Sequence, residues 1–327
     1  MVELFDMQSD MHNKKFIHWV NTRWNIEFKC ARRDIDIYGS PERALARVVI
    51  QDKNNTLFLL EKFPENKFLL RENIAQAIEY LNANGLDQAL PYRKTGNGDF
   101  LPFFNNACFQ LSLFLKNTGV RRPEYLASKD MGENFALFLL NLSRASADMG
   151  KKFIFKPFSI KTYIYNLFKK MEHHDADMYT RYLPFLNFLE KKFMTIHDSL
   201  PVSFCHGDLH PLNVIWDSDR IAAVIDWEFA GIKPDIYDAA NLVGCAGIED
   251  PQGLQGSMVM AFIDSLKKSG VISPGGWEIF PEYILALRFA WLSEWLRKKD
   301  EEMLELEACY MDILVNNMDA LRQIWKI

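Results

Sequence analysis

The chain reads as an α+β protein, a strand-rich segment followed by a longer helical one, and three observations lead there. Runs of β-forming residues gather between positions 44 and 115 around one segment of helical period. From Glu133 onward the apolar spacing is that of helices. A short β interruption at 212–225 then divides the helical part. At about 150 residues per domain, 327 residues make two domains. The composition changes at LFLKNTG, so the boundary is expected near 114–120, giving an N-terminal lobe of 1–115 and a C-terminal lobe of 116–327.

ALARVVIQD (44–52) and NTLFLLEKF (55–63) flank the turn-like DKNN and read as an antiparallel hairpin. In LLRENIAQAIEYLNANGL, Ile74, Ala77, Ile78 and Leu81 recur at helical spacing. Asn84-Gly85 stops that helix, because glycine takes the left-handed conformation a helix end prefers. TGNGD (95–99) is a further turn, and ACFQLSLFL (107–115) a further strand. ENFALFLLNLSRASADM, KTYIYNLFKKM and TRYLPFLNFLEKKFMTIHD are helical, as is the stretch from Pro281, with one apolar face and a charged one. LNVIW (212–216) and IAAVI (221–225), joined by DSDR, form a second hairpin.

Composition excludes several classes of function. With 38 basic and 43 acidic residues the net charge is -5, without the basic footprint of a nucleic-acid binder or a polybasic membrane patch. The densest apolar run, Phe135 to Leu140, is far short of the roughly 18 to 20 residues that span a bilayer. MVELFDMQSDM carries no secretory pattern, and the five scattered cysteines offer neither a disulfide framework nor a zinc knuckle. The expectation is a cytoplasmic globular protein, monomer or homodimer, with no nucleic-acid or membrane partner.

The chemistry concentrates in FCHGDLHPLNVIWDSDRIAAVIDWEFAG, residues 204–231. If Ser218 and Asp219 centre the turn, cross-strand partners sum to 437, so Asn213 faces Val224 and Asp226 lies diagonally beyond on the same face. Such diagonal neighbours sit about 7–8 Å apart. A carboxylate and an amide oxygen there suit Mg²⁺ with room for water and phosphate oxygens. Asp208 stands five residues before Asn213 on the entering loop. An acid, an amide and a second acid in this order are what phosphoryl transfer needs: one carboxylate orients the attacking hydroxyl, and the other two groups hold Mg²⁺ on the nucleotide phosphates.

HGDLHPLN, followed after a hairpin by IDWE, resembles the signature of the aminoglycoside phosphotransferases and their choline-kinase and homoserine-kinase relatives. The resemblance implies a bilobal protein-kinase-like fold, with ATP and Mg²⁺ as cofactors and a small-molecule hydroxyl as acceptor. It implies that Asp208 is the catalytic base, that Asn213 and Asp226 are the magnesium ligands, and that His206 braces the loop. His210 completes the motif, and Asp238 in YDAANLVG would buttress the loop. In the first lobe it implies a cation on a strand and an acid on the next helix. Lys62 and Glu72 fill those roles, with Glu61 and Arg71 as the rival assignment. The phosphate-covering turn would be IYGSPERALARV with Gly39 and Ser40 at its tip. The base would lie against the strand ending Ser112–Lys116, beside Leu113 and Leu115, bonding backbone groups there.

Plainer readings stand beside these. Without the surrounding motif, Asp-x-x-x-x-Asn is common in surface turns, and Lys62–Glu72 would be an ordinary surface pair. His206 and His210 could suggest zinc, but no further histidine cluster completes a ligand set. His173-His174-Asp175 reads as a solvated helix end, and Cys205 as a buried structural thiol. Arg288, Trp291 and Trp295 share one helix face that is either core or part of the acceptor pocket. A protein-substrate kinase lacks its activation segment between Asp226 and Asp238, and a binding-only pseudokinase is at odds with the presence of Asp208, Asn213 and Asp226.

Overall fold

The computed structural model describes residues 11–37, 44–153, 155 and 158–327. The chain divides into two compact units, Met1–Gly119 with Leu212–Glu228, and Val120–Pro211 with Phe229–Ile327. The second hairpin therefore belongs to the first unit, whereas a boundary at 115/116 assigns it to the helical lobe.

The first unit is built on a five-stranded antiparallel sheet. Helix α1 (Lys14–Trp24) precedes β1 (Phe28–Ala31), β2 (Ala46–Asp52) and β3 (Leu57–Pro64), then come α2 (Phe68–Ala83), β4 (Phe103–Phe104) and β5 (Ala107–Leu113), in the spatial order β1-β2-β3-β5-β4. The sequence reading missed α1. Its Asn13 cap accepts the Lys15 amide, and Phe16, Val20 and Trp24 recur every four residues, a stripe that packs on Phe58, Leu60, Phe109 and Leu111. One sheet face is thereby buried under α1. On α2 the expected Ile74, Ala77, Ile78 and Leu81 are all buried, and Gly85 follows at φ +91°.

The hairpin of β7 (Val214–Asp217) and β8 (Arg220–Val224) is tied into the same unit. The Val224 amide donates to the Gln88 carbonyl, and the Trp216 amide to Asn117 Oδ1. Its register corrects the expected one. Near the turn Asp217 pairs with Arg220 and Trp216 with Ile221, as a sum of 437 requires. An irregularity between Ile215 and Trp216 then moves the pairing by one, to Val214↔Val224, and the Ile225 amide bonds the Asn213 carbonyl. Asn213 thus faces Ile225, not Val224. A bulge of this kind re-aims the side chains beyond it.

The second unit is mainly helical. Its larger helices are α3 (Lys129–Ala145), α4 (Ile160–His174) and α5 (Ala176–Glu190), then α6 (Tyr237–Glu249), α7 (Ser257–Ser269), α8 (Phe280–Lys298), α9 (Glu301–Asn316) and α10 (Met318–Trp325). A two-stranded ribbon of β6 (Val202–Cys205) and β9 (Gly231–Pro234) sits among them. Helix α6 is buried on nearly every side, which fits its run of alanine, glycine and leucine. His173 and His174 end α4 exposed, as expected. Arg288 is only 3% exposed and pairs with fully buried Glu307, so its charge is already engaged within the fold. Among the described residues no helix is long and apolar enough to cross a membrane.

Candidate active site

In the second unit the chain leaves β6 at Cys205 and enters a loop of His206, Gly207, Asp208, Leu209 and His210. Three side chains hold the backbone of this loop. Asp238, in the first turn of α6, accepts the amides of both His206 and Gly207 at 2.7 Å. The His206 ring accepts the Asp208 amide through Nδ1 at 3.2 Å, and Asn241 donates to the Leu209 carbonyl at 3.1 Å. His206 is fully buried, so it braces and does not face a reactant. Asp238 was expected as a buttress, and this is the contact through which it acts. Asn241, one turn along the same helix, was not singled out, although YDAANLVG contains it.

Gly207 sits at φ +86°, and a Cβ there would overlap the Phe229 carbonyl oxygen and lie 2.9 Å from Lys233 Nζ. Only glycine suits a left-handed backbone this close to another chain segment. Lys233, which sequence reasoning missed, donates to that same Phe229 carbonyl and lies over the Tyr237 ring at 5.2 Å. Burial lowers its pKa, opposed by the nearby Cys205 and Asp238. Burial also pushes the Asp238 carboxyl up to about 6, against the two backbone amides and Lys233, which favour its ionised form. His210 Nε2 lies 3.7 Å from Asp208 Oδ1. The Cys205 thiol is buried and shifted far upward by desolvation, so it is no nucleophile.

The first unit holds a pocket on the sheet face away from α1. Leu59, Ile78, Leu90, Leu113, Leu115 and Ile215 supply apolar walls. Arg47, Glu61, Arg71, Tyr92 and Asp226 supply the polar groups. Leu113 and Leu115, expected beside a nucleotide base, do line this pocket together with Ser112 and Phe114. Asp226 lines it too, with its backbone at φ +71°. That conformation is uncommon outside glycine and takes the residue out of strand alternation. The shared-face argument for Asn213 and Asp226 therefore does not hold as it was made. Asn213 is 3% exposed.

Lys62 and Glu72 are not brought together. On β3, side chains alternate, so Phe58, Leu60 and Lys62 face the α1 core while Leu59 and Glu61 face the pocket. Lys62 is 7% exposed and lies 5.7 Å from the Phe109 ring centroid. Glu72 stands beyond the first turn of α2 and accepts a bond from Gln76. The rival pair occupies the pocket instead: Glu61 from the strand and Arg71 from the helix. The two-residue strand period carries this outcome, since it puts Lys62 on the face of Leu60 and Phe58. The tip of the expected phosphate-covering turn, Gly39 and Ser40, lies outside the described residues.

Comparison with known proteins agrees with these elements. A model of the phosphotransferase enzyme family matches residues 46–268, more than half of the chain. Mouse (Mus musculus) ethanolamine kinase 2 is 23% identical over 235 residues, 69% of this chain and 56% of that protein. The chain thus spans little more than half the length of this relative. Among solved structures, the amicoumacin kinase hAmiN, in complex with AMP-PNP, Ca²⁺ and Ami, superposes with a TM-score of 0.65 at 12% identity, over 94% of this chain and 95% of that one. Choline kinase LicA from Streptococcus pneumoniae gives 0.61 at 16% identity, over 94% and 99%. The fold is thus that of the kinase-like phosphotransferases. With the braced HGDLHPLN loop, the hairpin ending in IDWE and a family match spanning both units, the chain belongs to the phosphotransferase enzyme family.

Proposed function

We propose that the protein transfers the γ-phosphoryl group of ATP, with Mg²⁺, to a hydroxyl group of a small molecule of the amino-alcohol, sugar or aminoglycoside kind. The observation that carries this reading is the loop around Asp208. Its backbone is fixed by His206, Asp238 and Asn241, which sets the position of Asp208 in the loop. Preorganisation of this sort is how phosphotransferases gain rate, because positioning and electrostatics dominate over covalent chemistry.

In this reading Asp208 accepts a hydrogen bond from the acceptor hydroxyl, orients its oxygen and takes its proton as the new P–O bond forms and the bond from the γ-phosphorus to the bridging oxygen of ATP breaks, releasing ADP. His210, 3.7 Å from Asp208, helps set the carboxylate's direction. Buried Asn213 and the Asp226 carboxylate are the residues that would hold Mg²⁺; one amide oxygen and one carboxylate fit a hard dication that keeps its other positions for water and phosphate oxygens. The metal supplies charge compensation on the phosphates when bound. The pocket of Leu59, Leu113 and Leu115 receives the nucleotide base, and Ser112–Leu115 offers it backbone groups. A cytoplasmic location, where ATP is abundant, goes with this reading.

The test is ADP release from MgATP in the presence of a panel of hydroxyl metabolites, with mass detection of the phosphorylated product. Phosphorylation of a protein substrate instead of any small molecule would move the acceptor class. MgATP binding without turnover would make the chain a nucleotide-binding pseudokinase.

A further inference from the structure

The polar end of the pocket in the first unit has its charges in an order opposite to the one a kinase-like lobe is expected to show. The usual layout puts the cation on the strand and its carboxylate on the following helix. Here β3 delivers Glu61 to the pocket, and α2 delivers Arg71. Arg71 is 5% exposed, its guanidinium lies 4.0 Å from the Phe63 ring centroid, and its Nε has no hydrogen-bond partner among the described residues. A buried donor left without an acceptor costs free energy unless something arrives to accept from it. Arg71 shares this pocket with two acids, Glu61 and Asp226.

Glu61 is flanked across the sheet by Arg47 on β2 and by Gln110 on β5. Gln110 is fully buried, and among the described residues neither end of its amide has a hydrogen-bond partner. Burial raises the Glu61 pKa, while Arg71 first and Arg47 second pull it back and Asp226 opposes them. Glu61 and Arg71 line the same pocket, and the charge of the guanidinium favours the ionised form of the Glu61 carboxyl. Lys62, the strand cation that sequence position suggests, has its side chain on the other face of the sheet, toward Phe109.

We propose that Arg71 is the cation that meets the nucleotide phosphates in this protein, with Glu61 in the same pocket, so that strand and helix supply their charges in exchanged order. The proposal rests on the nucleotide reading of this pocket. A guanidinium presents two parallel N–H groups to one phosphate, where an ammonium offers a point charge. Arg71 is a binding residue in this scheme, and Glu61 is a positioning residue that acts through it. Arg47, on the same face as Glu61, adds a second guanidinium to the same end of the pocket.

The experiment compares affinities for ATP and for adenosine, which fills the same base site without phosphates. Calorimetry on wild-type protein, Arg71→Gln, Arg71→Lys, Glu61→Gln and Lys62→Met gives the ratio of the two. Arg71→Gln should weaken ATP by about 10- to 100-fold, the scale of a charge-assisted hydrogen bond, while adenosine changes by less than about twofold. Arg71→Lys should recover part of the loss, and Glu61→Gln should show a smaller loss of the same kind. The ratio for Lys62→Met should stay near wild type. Equal losses for both ligands in Arg71→Gln would mean that Arg71 only supports the fold, and would overturn the proposal. A loss of ATP selectivity confined to Lys62→Met would return the role to the strand lysine. If wild-type protein binds neither adenosine nor ATP at millimolar concentration, the nucleotide reading itself fails, and the proposal with it. A double variant, Glu61→Lys with Arg71→Glu, supplies an independent check: it should bind ATP better than Arg71→Glu alone, and failure to do so would contradict the exchanged pair.

Discussion

The loop around Asp208 and the pocket around Arg71 solve the same problem, holding charge in a fixed place, by different means. The loop does it with backbone. Asp238, His206 and Asn241 each bond a main-chain group, so the geometry depends on a short stretch of sequence and a single glycine. The pocket does it with side chains drawn from β2, β3, α2 and the end of the hairpin. The difference shows which features a motif can carry. A backbone-braced loop must keep its residues at fixed spacing, whereas charged side chains drawn from separate elements need no fixed spacing in the sequence.

The largest expected effect lies in the loop. Asp208→Asn keeps size and hydrogen bonding but removes the proton acceptor, so turnover should fall by about 10² to 10⁴ with MgATP affinity nearly intact. Steady-state rates and calorimetry on the same sample decide this. Parallel loss of nucleotide affinity would make Asp208 a metal ligand and erase the contrast between the two regions.

Asp226→Ala should act in the other region. Without this carboxylate the Mg²⁺ requirement should move to much higher concentration, and affinity measured with Mg²⁺ should fall. ATP binding without Mg²⁺ should hold or improve, because an acid facing the phosphates is gone. An unchanged Mg²⁺ titration would remove Asp226 from the metal site.

Gly207→Ala sharpens the point about backbone. The left-handed conformation costs a residue with a Cβ about 1–2 kcal/mol, and the overlap with the Phe229 carbonyl adds to that. The variant should lower the melting temperature and reduce turnover more than nucleotide affinity. Wild-type melting and turnover together would show that the loop tolerates a different path.

The smallest effect is a pH dependence. The Asp238 carboxyl, normally near 3.8, is pushed up to about 6 by burial. An acid whose folded pKa is raised binds its proton more tightly when folded, so its contribution to stability is present below about 4 and is lost as pH rises to about 6. Function runs the other way. Only the ionised carboxylate accepts from both His206 and Gly207 without constraint, so kcat should fall as pH drops through about 6. Asp238→Asn should be slower throughout and should lack both pH effects. A retained inflection in the variant would assign it to another group.

The sequence made the loop legible because Asp208, His206, Gly207 and Asp238 act over short spacings within a recognisable motif. It also made the core strands and α2 legible through their periods. Helix α1 escaped because its core-facing apolar residues, Phe16, Trp19, Val20 and Trp24, are interspersed with lysine, histidine and arginine. The hairpin register slipped by one because an irregularity at Ile215/Trp216 leaves no mark in residue type. Lys62 was misdirected for a different reason. A lysine next to a glutamate near the end of a strand looks like the expected cation, and only the two-residue period, followed from Leu60, sends it to the apolar face. The place of the hairpin in the first unit depended on long-range bonds to Gln88 and Asn117, which no local pattern announces.

The central claim is phosphoryl transfer from ATP to a small hydroxyl compound with Asp208 as base. Wild-type protein and Asp208→Asn, each incubated with MgATP and one acceptor at a time, would be followed by ADP release and by the mass of the acceptor. The account predicts that at least one acceptor gains a phosphoryl group with stoichiometric ADP in the wild type, and that the rate collapses in Asp208→Asn although the variant still binds MgATP. Equal ADP release and product formation by both proteins would contradict it.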